Sequence, residues 1–501
     1  MFHLTEENSK KIKVSKPAGF RDFYPEEYAK VDFILQTMRR ISLEYGYIEY
    51  VSPAVELRKL YELKSGEGII DETFKIQSRS GQELVLIPEL TPSLSRMLAE
   101  RQQYYTKPIR WFSFPKCYRD ETLQRGRVKE FWQYNIDILG IDEIYADAEI
   151  ITILARIINE CGLSKKQFVI LVNDREFMQQ FMESLEIKDF LAVFKIFDKK
   201  DKLFQEQIEK MLKDAFEDDE VTNIALSIRH ARQLDETIFD TIPRTNVTEE
   251  IYNGFEGIRK EAIVTALKAL KIPSEKAEIL YQLSEIKDSP KNFIKKAKAL
   301  YSGENVDEAL KNLEDLAILL DNFGMTDFIL YDGSLARGLD YYTGVIFEAW
   351  SREGILPRAI AGGGRYGDLV STLGGQPLTG TGFGFGETVL MELMSDFEIE
   401  YPKMEICDVY IAPIKLDDLS IVIDISNKLR AKDLKVVLNP FNWKIKRHFE
   451  NAERSKVEWM IIVGNKDLAN NVVTLRNIIS GEQETIPIKK IVSELKKKLK
   501  R

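Results

Sequence analysis

Residues 117–133 read Cys-Tyr-Arg-Asp-Glu-Thr-Leu-Gln-Arg-Gly-Arg-Val-Lys-Glu-Phe-Trp-Gln, an order that predicts a strand, a charged loop and a second strand. Arg119 and Arg127 stand on either side of a flexible tip. Arginines in such places can bind phosphate oxygens through two parallel hydrogen bonds, and Phe131 could offer a face to a purine. The alternative is a solvated hairpin whose charges pair with each other. This stretch alone leaves both interpretations open.

Two further blocks carry unusual residues. Residues 335–344 read Leu-Ala-Arg-Gly-Leu-Asp-Tyr-Tyr-Thr-Gly, which places Arg337 and Asp340 beside paired tyrosines. Residues 361–366 read Ala-Gly-Gly-Gly-Arg-Tyr. Three consecutive glycines weaken a strand unless another group must approach its backbone closely, and a plain loop is the alternative.

The composition excludes several classes of protein. The chain has 501 residues, enough for about three domains. It carries 71 Lys+Arg against 80 Asp+Glu, so a uniformly basic nucleic-acid binder is excluded. Its three widely spaced cysteines allow neither a disulfide framework nor a CxxC metal site. Because no stretch reaches the roughly 18 apolar residues of a membrane span, we expect a cytoplasmic protein that does not enter membranes.

The charge distribution separates the C-terminal part of the chain from the rest. Residues 405–501 hold 19 Lys+Arg and 13 Asp+Glu, whereas the remainder holds 52 and 67. Within this basic part, strand and helix patterns alternate, beginning with a strand at 409–413 and ending with a helix from Lys489. Such alternation predicts a mostly parallel sheet with helices on its faces.

The remaining chain divides into three stretches. Pro25 opens an amphipathic helix that Gly46 ends, and strand patterns follow with few helices between them, which favours an antiparallel sheet. The pattern is helical and rich in lysine and glutamate from 176 to 322, and glycine-rich strands follow. We therefore predict a first sheet-forming part at 1–175, a helical insertion at 176–322, a second sheet-forming part at 323–400 and a further domain at 405–501.

Taken together, these blocks resemble the histidyl-tRNA synthetases, a family of class II aminoacyl-tRNA synthetases. Residues 337–342 and 362–366 are similar to the two histidine-specific signatures of that family, and 118–133 to its motif 2. Residues 19–25 with Pro53 are similar to motif 1, and 87–91 to the substrate-binding Pro-Glu-x-Thr loop. The resemblance implies an α+β catalytic domain with an antiparallel sheet, a helical insertion and a C-terminal α/β anticodon-binding domain.

The resemblance also implies a reaction. Histidine would be activated by ATP, with Mg²⁺ present, to histidyl-adenylate, and then transferred to the 3′ end of tRNA(His). The chain contains no GxxxxGK[ST] run, and this family holds ATP on the sheet rather than on a P-loop. Motif 1 implies a homodimer, because in the family it forms the subunit interface.

By resemblance, each site residue has an expected role. Arg119 and Arg337 would be catalytic, one on each side of the α-phosphate. ATP would also contact Glu121 at the adenine amino group, Arg127 at the γ-phosphate and Phe131 under the ring. Histidine would be held by Glu89, Thr91 and Asp137 at its ammonium, by Gln133 at its carboxylate, and by Tyr342 and Tyr366 at its ring nitrogens. Gln124 and Arg125 would contact the tRNA acceptor.

The three histidines lie outside every block, so we predict that they are surface residues and that no metal site is built from them: His3, His230 and His448.

The sequence departs from the family pattern at several positions. Val389 stands where relatives carry the motif 3 arginine that contacts the γ-phosphate, and Arg127 or Arg365 is expected to supply that cation. Ile87 replaces a common Arg, Asp137 a common Glu, and Gly367-Asp368 inverts the usual order. The alternative function is a non-catalytic histidine sensor, similar to the regulatory subunit of ATP phosphoribosyltransferase; a synthetase for another amino acid is a third.

Overall fold

The computed structural model describes residues 15–62, 70–200, 202–204, 206–207, 246–301, 303–336, 341–354, 356, 358–402, 407–416, 419–439 and 443–499. The chain divides into two compact units, Met1–Tyr401 and Pro402–Arg501, called here the first and second unit. Each unit has its own hydrophobic core.

The first unit is built on a large, mainly antiparallel sheet. The strands of the unit are β1 (Ile48–Glu49), β2 (Val55–Leu57), β3 (Lys75–Gln77), β4 (Glu83–Leu86), β5 (Ile109–Ser113), β6 (Lys116–Tyr118), β7 (Glu130–Leu139), β8 (Phe168–Asp174), β9 (Lys287–Asp288), β10 (Ile329–Asp332), β11 (Tyr342–Ser351), β12 (Ala361–Tyr366) and β13 (Gly380–Gly386). The sheet order is β1-β5-β7-β13-β12-β11-β8-β10-β9, with β6 also paired to β7. Only the β1–β5 and β8–β10 pairs of this sheet are parallel. The antiparallel prediction is confirmed.

Helices cover the sheet. They are α1 (Pro25–Glu44), α2 (Arg58–Glu62), α3 (Thr91–Arg101), α4 (Tyr145–Glu160), α5 (Arg175–Ser184), α6 (Phe190–Asp198), α7 (Asn246–Ala269), α8 (Ser274–Ser284), α9 (Pro290–Leu300), α10 (Glu304–Asn322), α11 (Leu369–Thr372) and α12 (Glu387–Asp396). Helix α1 forms where the sequence predicts it: Pro25 occupies its first turn and Gly46 follows its end with φ +77°. Its buried residues recur at helical spacing, as in Val31, Ile34 and Met38.

The stretch predicted as a helical insertion is helical throughout most of its described part, with the short strand β9 inside it. Its helices share one hydrophobic core with the sheet: Phe177 on α5, Leu280 on α8 and Leu313 on α10 are fully buried in the same cluster as Ile170 on β8. Shared burial of this kind ties the helices to the sheet that carries the cavity described below.

The second unit has the alternating pattern that its sequence predicts. Its elements are β14 (Val409–Ile414), α13 (Ser420–Arg430), β15 (Val436–Leu438), α14 (Ile445–Arg454), β16 (Trp459–Gly464), α15 (Asn465–Ala469), β17 (Val472–Asn477), β18 (Gln483–Pro487) and α16 (Ile491–Lys498). In the order β15-β14-β16-β17-β18, the first two pairings are parallel and the last two antiparallel. A mostly parallel sheet was therefore the wrong prediction, since the short connections after β16 and β17 allow only antiparallel return.

One histidine prediction is also wrong. His448 is fully buried on α14, where its Nδ1 lies 3.1 Å from the hydroxyl of Tyr410. It shares the inward face of the helix with Ala452, four residues on. His3 and His230 lie outside the described residues.

Candidate active site

A cavity of about 460 Å³ lies in the first unit over strands β7, β11, β12 and β13. It is lined by ten of the residues singled out from sequence: Glu89, Thr91, Arg119, Glu121, Arg127, Phe131, Gln133, Asp137, Tyr342 and Tyr366. The sheet order thus brings together residues as far apart in the chain as Glu89 and Tyr366. Arg337 lies outside the described residues. Gln124 and Arg125 stand at the tip of the β6–β7 loop and do not line the cavity.

The first group of lining residues consists of buried tyrosines and carboxylates. The Tyr366 hydroxyl donates a hydrogen bond of 2.7 Å to Oδ1 of Asp137, and both side chains are buried. The Tyr341 hydroxyl lies 3.5 Å from Oε2 of Glu89, which is also buried. Along the same wall, Gln133 donates to Asn135 at 2.7 Å. These residues, together with Thr91 and Tyr342 of the same cavity, are called here the acidic group. They offer oxygen atoms to a cationic or hydrogen-donating ligand.

Glycines make room for the acidic group. Gly382 of β13 pairs with Asp137 of β7, and a Cβ at Gly382 would clash with that carboxylate. Gly364 lies against the Tyr342 ring, which a Cβ would approach to 3.0 Å. Glycine is therefore required at these strand positions, because side chains and backbone of the neighbouring strands come too close for a Cβ.

The pKa of the Asp137 carboxyl, at the centre of this group, is set mainly by burial. Burial raises the pKa of Asp137 to about 7, although the hydrogen bond from Tyr366 acts in the opposite direction. In an unfolded chain an aspartate has a pKa of about 3.9. Between these two values the folded state holds a proton that the unfolded state has lost, so through this group stability falls as pH rises from about 4 to 7.

Asp137→Asn is therefore expected to stabilise the protein relative to wild type, more at pH 7.5 than at pH 5, because the amide can accept the Tyr366 hydrogen bond without ionising. A change of 1 kcal/mol shifts Tm by about 2–4 °C in domains of 150–250 residues and by less in larger ones, so for the first unit, Met1–Tyr401, we expect a pH-dependent difference of a few degrees. Thermal unfolding at the two pH values measures it. A variant less stable than wild type by the same amount at both pH values would contradict the assignment.

The second group of lining residues contains Arg119 and Arg127 with their partners Glu121 and Phe131, and is called here the arginine group. Glu121 forms an ion pair with Arg127 and lies 3.7 Å from Arg119. Arg119 donates to the carbonyl oxygen of Pro88 at 3.1 Å, and its guanidinium carbon lies 5.4 Å from the centre of the Phe131 ring. An aromatic face beside fixed guanidinium groups is suited to a nucleotide, with stacking for the base and paired hydrogen bonds for phosphate.

The structure adds a third arginine that sequence analysis missed. Arg358, in the connection between β11 and β12, lines the cavity and donates to Oε1 of Gln124 at 3.2 Å. Burial, together with the charge of Arg127, lowers the pKa of Arg358. The only signal in the sequence is an arginine three residues before the glycine block. The sequence predicted no role for five other lining residues: Asn135, Tyr341, Glu348, Trp350 and Thr388.

Arg365 was the wrong candidate for the missing motif 3 cation. Its guanidinium pairs with buried Asp147 at 2.5 Å and donates to the carbonyl oxygen of Ile141 at 2.9 Å. Successive side chains of a strand point to opposite faces. Because Tyr366 faces the cavity, Arg365 faces away from it. Val389, at the start of α12, lines the cavity and leaves an apolar side chain at that position.

The tip of the β6–β7 loop is tied to α12. Nε of Arg125 donates to Glu392 at 3.0 Å, and the same guanidinium pairs with Asp396. The side chain of Arg125 remains about half exposed. The tip therefore stands at the rim of the arginine group, where a larger ligand can reach it.

In the described part of the chain, no three His, Cys, Asp or Glu side chains lie close enough together to hold a metal ion. None of the described helices is long and apolar enough to cross a membrane.

Comparison with known proteins agrees with this geometry. The family model described as histidyl-tRNA synthetase matches residues 19–240 and 204–388, and one described as anticodon binding domain matches 408–498. The histidine–tRNA ligase of Pyrococcus furiosus is 30% identical over 488 residues, covering 97% of this chain and 100% of the relative. The chloroplastic/mitochondrial histidine–tRNA ligase of Arabidopsis thaliana is 29% identical, covering 96% of this chain and 86% of the relative.

Solved structures share the fold. The crystal structure of a histidyl-tRNA synthetase from a Nostoc species has a TM-score of 0.72 at 22% identity, covering 97% of this chain and 100% of that one. A Bacillus halodurans structure titled as an ATP phosphoribosyltransferase regulatory subunit/histidyl-tRNA synthetase has a TM-score of 0.65 at 21% identity.

The antiparallel sheet, the charged β6–β7 loop and the second, α/β unit define a class II aminoacyl-tRNA synthetase. With the family model matching most of the chain, the particular family follows. The chain belongs to the histidyl-tRNA synthetase family and is an enzyme of that family.

Proposed function

We propose that this cavity joins histidine to ATP to form histidyl-adenylate, and that the enzyme then transfers the histidyl group to the 3′ end of tRNA(His). One observation carries the proposal: a single cavity is lined by both a group of buried carboxylates and tyrosines and a group of arginines beside an aromatic ring. The first group suits an amino acid with a hydrogen-bonding ring. The second suits a nucleotide.

The arginine group would place and stabilise the phosphates. The histidine carboxylate attacks the α-phosphorus and pyrophosphate leaves; because this nucleophile is already ionised at neutral pH, no protein base is needed. Rate enhancement then comes from positioning and from stabilising charge on the phosphorus oxygens. Arg119 would contact the α-phosphate and Arg127 the γ-phosphate, with adenine over Phe131 and near Glu121. Arg337, outside the described residues, is assigned to the α-phosphate by resemblance alone.

The acidic group would select histidine. Glu89, Thr91 and Asp137 would hold the ammonium, and a cation bound there would favour the ionised form of Asp137. Gln133 would hold the carboxylate. Because Tyr366 donates its proton to Asp137, its oxygen is free to accept a hydrogen bond from the imidazole N–H, with Tyr342 at the other ring nitrogen. A site built to pair with ring nitrogens rejects amino acids that lack them.

Mg²⁺ would enter with ATP. It usually keeps several waters and binds through one or two carboxylates plus substrate phosphates, so a three-residue protein cluster is not required. Outside the acidic group, the lining carboxylates that would hold Mg²⁺ are Glu121, which pairs with Arg127, and Glu348, which accepts a hydrogen bond from Trp350. Bound there, Mg²⁺ would neutralise phosphate charge.

Pyrophosphate exchange measured with each of the standard amino acids in turn tests the proposal. Histidine is expected to support exchange at least about 10²-fold faster than any other, since unpaired buried groups discriminate strongly. Exchange driven equally well by a second amino acid would contradict the assignment of the acidic group. Absence of exchange, with retained histidine binding, would instead favour the histidine-sensing alternative.

We further propose that the enzyme is a cytoplasmic homodimer. Strand β1 lies at one edge of the large sheet, directly after α1 of motif 1. There Ile48 and Val51 are 66% and 81% exposed, and a second copy would cover them. Light scattering at micromolar concentration should give about twice the 57.9 kDa of one chain; a monomer mass would overturn this assignment.

A further inference from the structure

Arg358 lies at the same wall of the cavity as Val389. A Cβ placed on Gly126, in the β6–β7 loop, would lie 3.6 Å from Cδ of Arg358 and 3.5 Å from Cγ2 of Val389. Because the guanidinium of an arginine extends beyond Cδ, Arg358 can present its charge where the short side chain of Val389 presents none.

The arginine group holds more guanidinium groups than carboxylates. Arg119 and Arg127 pair with Glu121, and Glu72 is a second carboxylate whose charge acts on the three arginines. Among the described residues Arg358 forms no ion pair, and its hydrogen bond is to the neutral amide of Gln124. Partial burial and the charges of Arg127 and Arg119 together outweigh the opposing charges of Glu121 and Glu72, so the pKa of Arg358 is lowered. An anion bound among the three guanidinium groups would remove this unfavourable arrangement.

We infer that Arg358 is a phosphate-binding residue of this enzyme, contacting the terminal phosphates of ATP together with Arg127 and supplying the cation that Val389 cannot. The inference deepens the proposed function and rests on it. It assigns to the β11–β12 connection a role that the family pattern gives to the start of α12. The competing explanation is that Arg358 only holds the loop tip through Gln124.

The decisive experiment uses substitutions that separate phosphate binding from support of the loop. In pyrophosphate exchange, Arg358→Ala should raise the KM for ATP and lower kcat/KM by about 10²-fold, the typical loss for one charge-stabilising donor. The KM for histidine should change less than about threefold, because the acidic group is untouched. A non-hydrolysable histidyl-adenylate analogue, which has no β- or γ-phosphate, should bind as in wild type. Arg79→Ala, an exposed arginine on the turn between β3 and β4, is the charge-matched control.

A second substitution tests whether an arginine at position 389 can replace Arg358 in binding the terminal phosphates. Val389→Arg added to Arg358→Ala should recover at least about tenfold of the lost kcat/KM for ATP, provided that thermal unfolding shows both variants folded. Arg358→Lys should keep part of the activity, since it retains charge but not the paired hydrogen bonds.

The outcomes distinguish this inference from the proposed function. Wild-type protein that shows no histidine-dependent exchange would refute the proposed function itself. Active wild type with Arg358→Ala inside threefold of it would refute only the role of Arg358. Equal losses for ATP, histidine and the adenylate analogue would show that Arg358 merely supports the loop, and a folded double variant without recovery would refute the shared position with Val389.

Discussion

Arg119→Ala is expected to lower histidine-dependent pyrophosphate exchange by about 10²- to 10³-fold, because it removes a donor aimed at the phosphate on which charge develops. The side chain is fixed for this role by the carbonyl oxygen of Pro88 and by the Phe131 ring. Its ion pair with Glu121 is partly exposed, and such pairs contribute about 0–1 kcal/mol to stability. The loss should therefore appear in rate while Tm changes little.

Exchange kinetics and thermal unfolding of the same preparation check both halves of this prediction. Arg101→Ala, which removes an exposed arginine from the end of α3, serves as the control. Arg337→Ala is expected to act in the same direction, given its assigned place on the other side of the α-phosphate. An Arg119→Ala enzyme within about threefold of wild type, or one that loses activity only because it unfolds, would remove Arg119 from the catalytic group.

The fold could be predicted where local pattern and tertiary context agree. The buried face of α1 repeats at the helical period, and the helix is bounded by Pro25 and Gly46. Prediction failed where a choice depends on pairing partners. The alternation of strands and helices before β17 favoured parallel strands, although the short turn between β17 and β18 requires the antiparallel direction. The prediction that His448 lies on the surface failed for a similar reason. It rested on the residue type and not on the face of the helix that carries the residue.

The short motifs were enough to predict most residues of the site. The predictions that failed concern residues whose contacts no motif specifies. Tyr342 and Tyr366 belong to blocks of fixed spacing, and the strands place them opposite each other in register. Arg365, one residue away, was misplaced because strand alternation turns it toward Asp147. Arg358 lies in a connection without a motif, and sequence separation gives no measure of its approach to Gly126 and Val389. Such contacts are set by tertiary packing alone.

A chain ending at Tyr401 is expected to form histidyl-adenylate at close to the full-length rate but to charge tRNA at least about 10²-fold less efficiently. Every lining residue of the cavity lies before residue 390, and the cores of the two units are made of separate residues. The end point retains Tyr401, whose ring lies 6.0 Å from that of Phe33 on α1. The first unit should therefore fold with its cavity intact.

The loss in charging follows from where a tRNA must be held. Residues 405–501 carry a net positive charge within an acidic chain, and the anticodon-binding model matches 408–498. Unpaired anticodon bases are read by base edges and stacking, with phosphate contacts adding salt-dependent affinity. The lysines at the end of α16 alone could be a solubilising face, so Lys496, Lys497 and Lys498 replaced together by glutamine are expected to cost less than removal of the unit. Charging by the truncated chain, folded and of unchanged oligomeric state, at the full-length efficiency would exclude the second unit from tRNA binding.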